Sequence, residues 1–129
     1  MKSKEELNEL SKVILDASIA VHREMGPGLL ESVYHHCLAE ELYLRKLNFA
    51  MQVPVSLVYK GRHLNKDYMI DLLIEEEIVI ELKAIEGLLA IHEAQLISYL
   101  KLADKRLGFL INFNVLKLKY GFRRFVNNF

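Results

Sequence analysis

Apolar residues at Leu7, Leu10, Ile14, Ala17 and Val21 step by three and four, the spacing of one face of a helix. Ser3 followed by Glu6 fits a capping box at its start, so a first helix is expected to run to about Glu24. Gly26-Pro27-Gly28 stops it. A second helix is expected from Leu29 to Lys46, with Leu30, Val33/Tyr34, Cys37/Leu38 and Leu42 facing inward. From Gln52 the period falls to two: Val53, Val55, Leu57 and Tyr59 alternate with Pro54, Ser56 and Val58, and Pro54 suggests an edge or a strand start. Gly61 offers a turn, and a second strand is expected through Tyr68 to Ile74. Glu75-Glu76-Glu77 breaks the pattern before a third strand, Ile78–Leu82, which is apolar on both faces apart from Glu81. A helix over about Ile91–Leu102, a fourth apolar strand over Leu107–Phe113 and a basic, aromatic tail complete the chain. The order α-α-β-β-β-α-β predicts an α/β fold: a mixed sheet of about four strands, the first three in an antiparallel meander, flanked by helices.

With 129 residues, 52% of them hydrophobic and 26% charged, the chain is expected to form a single globular domain over residues 1–129. Cys37 is the one cysteine, so an internal disulfide and a cysteine-based zinc finger are excluded, and a small core residue is the expected role. The charged opening MKSKEELNEL lacks the apolar stretch of a secretory signal. No apolar run approaches the roughly 18–20 residues of a membrane span. A cytoplasmic protein with no membrane association is the expectation.

The chemistry concentrates in the second and third strands. Glu76 is the centre of the acidic turn, and Asp71 and Glu81 lie five residues to either side of it. If Ile74 pairs with Ile78, Asp71 faces Glu81, and directly opposed side chains have Cβ atoms about 4.5–5.5 Å apart. Two carboxylates at that spacing repel, and the surrounding Ile, Leu and Val side chains deprive both of water. A divalent cation compensates, and hard oxygen donors suit Mg²⁺ or Mn²⁺. Lys83 follows Glu81 by two and projects from the same face, placed to orient a metal-bound water or to offset developing negative charge. Gln95 and Tyr99 share a helix face by their i, i+4 spacing, and Glu31 opens the second helix one turn before Tyr34. On the residues alone a structural Lys–carboxylate cluster, a helix N-terminal carboxylate at Glu31 and ordinary amphipathic roles for Gln95 and Tyr99 remain open.

The segment Gly28-Leu-Leu-Glu31-Ser-Val-Tyr34 resembles the Gly-x-x-Glu-x-x-Tyr signature of the GxxExxY proteins. So do Gly26-Pro27-Gly28, Glu41-Leu42, QVPVSLVYKG, IDLLIEEEIVIELKA, HEAQLISYLKL and LGFLINFNV; together the similarity covers about residues 7–126. That family is similar to the PD-(D/E)XK nuclease superfamily, with its restriction-endonuclease-like core, and Gln95-Leu-Ile-Ser-Tyr99 resembles the Gln-x-x-x-Tyr element of its RecB-like branch. The resemblance implies that Asp71 and Glu81 ligate metal, with the Leu82 carbonyl as a third ligand and Glu31 as an additional acidic one. It implies that Lys83 assists the attacking water, and that Gln95 and Tyr99 contact the substrate phosphate or orient the site. Ile70 stands where proline often precedes the aspartate. His35 and His36 stand where acidic residues are more usual, and both are read as helix-surface residues; His92 is read as a helix N-terminal polar residue.

The expected function is a Mg²⁺- or Mn²⁺-dependent nuclease acting on nucleic acid, DNA ahead of RNA. A non-cleaving metal- and nucleic-acid-binding or regulatory module working with a partner protein is the alternative, and an interaction protein with a structural acidic hairpin is the third reading. Net charge is zero, yet residues 101–129 carry seven basic groups and one acidic group. Lys101, Lys105, Arg106, Lys117, Lys119, Arg123 and Arg124, interleaved with Tyr120, Phe122 and Phe125, are candidate phosphate contacts, against the alternative of a solvated surface. An isoelectric point near 7.0 lies below the value above about 9 usual for a self-sufficient DNA binder, so a homodimer or a partner protein is expected to extend the surface.

Overall fold

The computed structural model describes residues 1–129 as an α/β fold of three helices around one five-stranded sheet. Helix α1 spans Lys4–Met25 and α2 Glu31–Leu44. Strands β1 (Phe49–Tyr59), β2 (Arg62–Ile74) and β3 (Ile78–Lys83) follow, then α3 (Ala90–Ala103), β4 (Leu107–Asn112), a short 3₁₀ turn (Leu118–Tyr120) and β5 (Phe122–Val126). The sheet order is β1-β2-β3-β4-β5. The first three strands form the expected antiparallel meander, α3 carries the chain across to a parallel β4, and β5 returns antiparallel.

Ser3 and Glu6 make the reciprocal capping box: the Glu6 N–H donates to Ser3 Oγ at 3.1 Å, and the Ser3 N–H to Glu6 Oε1 at 3.0 Å. Gly26 and Gly28 take φ of +70° and +94°, which lets the chain reverse into α2. The Tyr34 hydroxyl locks that turn, donating to the Gly26 carbonyl at 2.5 Å and accepting from the Leu29 N–H at 3.2 Å, while its ring stacks on Phe113 at 4.6 Å.

Helices α1 and α2 cover one face of the sheet, where Leu7, Ile14 and Leu38 pack with Leu72, Ile80, Leu82 and Ile111. Helix α3 covers the other, where Leu96 and Leu100 pack with Ile70, Val79 and Leu110. Strands β3 and β4 are thus buried on both faces, which explains their nearly unbroken apolar runs. Each fully buried Ile or Leu contributes about 1.5–3 kcal/mol relative to exposure. No helix is long and apolar enough to cross a membrane.

Two departures from the sequence reading concern polar strands. The tail is a fifth strand, so the sheet has five strands where about four were expected; Leu107–Ile111 supply the ladder for Val126–Phe122, and the adjacent Arg123 and Arg124 hide the alternation. Strand β2 begins at Arg62, six residues before the expected start, because pairing with β1 orders the polar run RHLNKD. In both cases hydrogen bonding to a neighbouring strand overrides a weak local pattern.

Candidate active site

The β2–β3 hairpin has the register read from sequence: Ile74 pairs with Ile78, Leu73 with Val79 and Leu72 with Ile80. Glu75 and Glu76 turn the chain with φ of +52° and +59°. Continuing that register sets Asp71 opposite Glu81, but the backbone ladder stops one pair short. The side chains take over. The Asp71 N–H donates to Glu81 Oε1 at 3.3 Å, and the Leu82 N–H donates to Asp71 Oδ2 at 2.8 Å. The β1 ladder also passes from Leu72 to Ile70 without a partner for Asp71, and Gln52 across from it has φ of +53°. Asp71 therefore sits at a break in both ladders, where the two carboxylates take up backbone N–H groups that the strands leave unpaired.

Glu81 is only 8% exposed, and its carboxyl is pushed up to about 9. Burial is the largest cause and the charge of Asp71 the next; Lys83 acts weakly in the opposite sense. Tyr99 on α3 is raised as well, by burial first and then by the charges of Glu81 and Asp71, which places its hydroxyl in the field of the pair. Its ring lies 5.6 Å from that of Tyr68. Lys83, half-buried at the end of β3, projects to the Glu81 side by strand alternation. Gln95 is exposed one turn before Tyr99.

Glu31, at the first position of α2, also faces Asp71, through a residue read as surface. His35 is buried, its Nε2 3.5 Å from Glu31 Oε2 and 3.8 Å from Asp71 Oδ2. That corrects the sequence reading of His35; His36 is exposed as expected. The i, i+4 spacing of Glu31 and His35 was the available signal, since it sets both on one helix face. One ligand atom from each of Glu31, His35 and Asp71 lies within 4.8 Å of the others, a spacing that fits a metal ion. His35 Nδ1 is buried without a partner.

Asn112 is a second residue that the sequence reading passed over. It neighbours Lys83 across the β3–β4 ladder and is 1% exposed. Its Oδ1 accepts from the N–H groups of Ile85 and Asn114 at 3.1 and 3.2 Å, and its Nδ2 donates to the Ile85 carbonyl at 3.0 Å. These bonds pin the chain that leaves Lys83. A lone amide ending the apolar run LGFLIN was the signal. His92 caps α3 as expected, Nδ1 accepting from the Leu89 N–H at 2.9 Å.

The seven basic residues of the last segment are not gathered into one patch. Lys105 donates to the Glu76 carbonyl at 2.8 Å, and Arg106 to the Lys2 carbonyl at 2.6 Å. Both lie at the hairpin-tip end of the sheet, five residues along β3 from Lys83, or roughly 17 Å away. Arg123 pairs with Glu93 at 2.9 Å, and Arg124 reaches Asn8 at 3.1 Å. Lys101, Lys117 and Lys119 are exposed.

No curated protein and no solved structure matches the chain. The sequence model of the PD-(D/E)XK nuclease superfamily does match, over residues 8–125. A mixed sheet with paired carboxylates where β2 and β3 part, and a lysine two residues beyond, agrees with that match, and the chain belongs to the PD-(D/E)XK nuclease superfamily.

Proposed function

We propose that the protein is a Mg²⁺- or Mn²⁺-dependent nuclease that hydrolyses phosphodiester bonds of nucleic acid, DNA ahead of RNA. The observation that carries the reading is the interlocked Asp71–Glu81 pair, two carboxyl groups in a break of the sheet with one pushed up to about 9. Such a pair is costly without a cation and apt for one. The donor chemistry fits: Glu31, His35 and Asp71 present two carboxylates and an imidazole nitrogen within 4.8 Å of one another, and Glu81 and the Leu82 carbonyl are the further oxygen donors proposed beside Asp71. A divalent cation bound there would polarise the phosphate and lower the pKa of its water.

The remaining roles fall to the chain itself. Lys83 positions the attacking water or offsets charge on the phosphate. Tyr99 keeps its proton, because burial and the adjacent carboxylates disfavour the phenolate, so its hydroxyl remains a donor for a phosphate oxygen. Gln95 offers an amide one turn away. Asn112 holds the segment after Lys83 and so fixes where that side chain starts.

The test is incubation of purified protein with Mg²⁺ or Mn²⁺ and single-stranded DNA, duplex DNA or RNA, alongside Asp71→Asn and Lys83→Ala. Metal-dependent products that vanish in both variants support the reading. Metal-dependent binding without products from any substrate would replace it with the non-cleaving module.

A further inference from the structure

We infer that the β1–β2 hairpin beyond Asp71 is an arm that grips duplex DNA in its major groove, away from the scissile bond. The inference rests on the nuclease reading for the position of the reacting phosphate and names the form of substrate. Strand β3 registers with β2 only over Leu72–Ile74, so residues 53–70 continue as a two-stranded ribbon. The ribbon is rooted beside the site: Val53 and Val55 pack against the α3 core cluster, and the Tyr68 ring meets Tyr99.

Beyond that root every residue from Val58 to Asp67 is exposed. The tip is a two-residue turn, Lys60-Gly61, with φ of +49° and +79°, closed by the Tyr59–Arg62 pair. Between Ser56 and Val58 the register shifts, and Asn65 has φ of +52°. Such a bulge increases the twist of a ribbon. The outer arm carries Lys60, Arg62 and Lys66 against one acid, Asp67, and none of the three cations forms an ion pair. Arg106, Arg123 and Arg124 are by contrast engaged within the fold.

The dimensions select the partner. Arg62 and Asp71 lie across from Tyr59 and Gln52, seven residues apart on β1 because β2 spends two extra residues in its bulge, and at about 3.3 Å each that is about 23 Å. That span equals roughly seven base pairs at 3.4 Å per pair. A B-DNA major groove, about 12 Å wide, admits a two-stranded ribbon. The deep, narrow major groove of duplex RNA does not. A single strand offers the arm no groove to enter.

The test measures binding by fluorescence anisotropy with Ca²⁺ in place of Mg²⁺, using a 20-base-pair DNA duplex, a DNA hairpin with a 5-base-pair stem, a 20-base-pair RNA duplex and a 20-nucleotide DNA strand. The full chain is compared with Lys60→Ala/Arg62→Ala/Lys66→Ala, whose folding is checked by its melting temperature. The expected result is a loss of at least about tenfold on the long DNA duplex, with the slope of log K against log salt reduced by about 2–3. The other three probes should change by less than about twofold, since they lack the distal groove. Unchanged affinity and slope on the long DNA duplex overturn the inference. An equal loss on RNA or on the single strand overturns the groove assignment and leaves a nonspecific cationic arm. Because binding is read without cleavage, arm-dependent binding in a protein that never cuts would retain the arm and discard the nuclease reading.

Discussion

Glu81→Gln isolates the electrostatic cost of the carboxylate pair. In the metal-free protein Glu81 titrates at about 9 against an ordinary 4.5, raised by burial and by Asp71. A carboxyl raised in the folded state holds its proton there while the unfolded chain releases it. Its contribution to stability is therefore complete below pH 4.5 and is lost progressively as pH rises toward 9. Each pH unit inside that window costs about 1.4 kcal/mol. Going from pH 5 to 7.5, the wild type should lose about 3 kcal/mol that the neutral, isosteric glutamine does not lose, or about 10 °C for a domain of this size. Titrating groups away from Glu81 are common to both proteins and cancel in the difference, leaving Glu81 and the neighbours that sense its charge, Asp71 and Tyr99. The assay is thermal unfolding of both in EDTA at pH 5, 6, 7.5 and 8.5, with the melting-temperature gap plotted against pH. Adding Mn²⁺ should close most of the gap: at a hundred times its Kd a ligand stabilises by about 2.7 kcal/mol, and the variant has lost a donor. A gap independent of pH in EDTA would refute the repelling buried pair.

His35→Gln should weaken Mn²⁺ binding by at least about tenfold in calorimetric titration, since it removes the nitrogen donor facing Glu31 and Asp71, while His36→Gln on the exposed side changes nothing. Tyr34→Phe keeps the stack on Phe113 but loses both hydroxyl bonds across the 26–29 turn, and urea unfolding should show a loss of about 1–2 kcal/mol. Gly121→Ala would put a methyl 2.1 Å from the Asn112 carbonyl oxygen, a backbone atom that cannot swing aside, so a destabilisation of about 3 kcal/mol is expected from the same measurement.

The legible parts of the fold were those in which burial follows a local period. The step of three and four from Leu7 to Val21 located α1 to within a residue or two. The acidic triplet between Ile74 and Ile78 set the hairpin register, and with it the approach of Asp71 to Glu81. Where order comes from a neighbour, the pattern was silent. FRRFV and RHLNKD are strands because β4 and β1 offer them hydrogen-bond ladders, and neither segment alternates cleanly.

The site divides in the same way. The chain's own order determined which carboxylates meet across the hairpin and that Lys83 shares their side, because strand alternation and a short turn are local geometry. Only the tertiary structure decided that His35 is buried against Asp71, that Asn112 ties down the segment after Lys83, and that the basic residues of the last segment are dispersed over the ends and faces of the sheet. Those outcomes depend on how the helices and strands pack against one another, through contacts between residues 27 to 116 positions apart, and no local period encodes them.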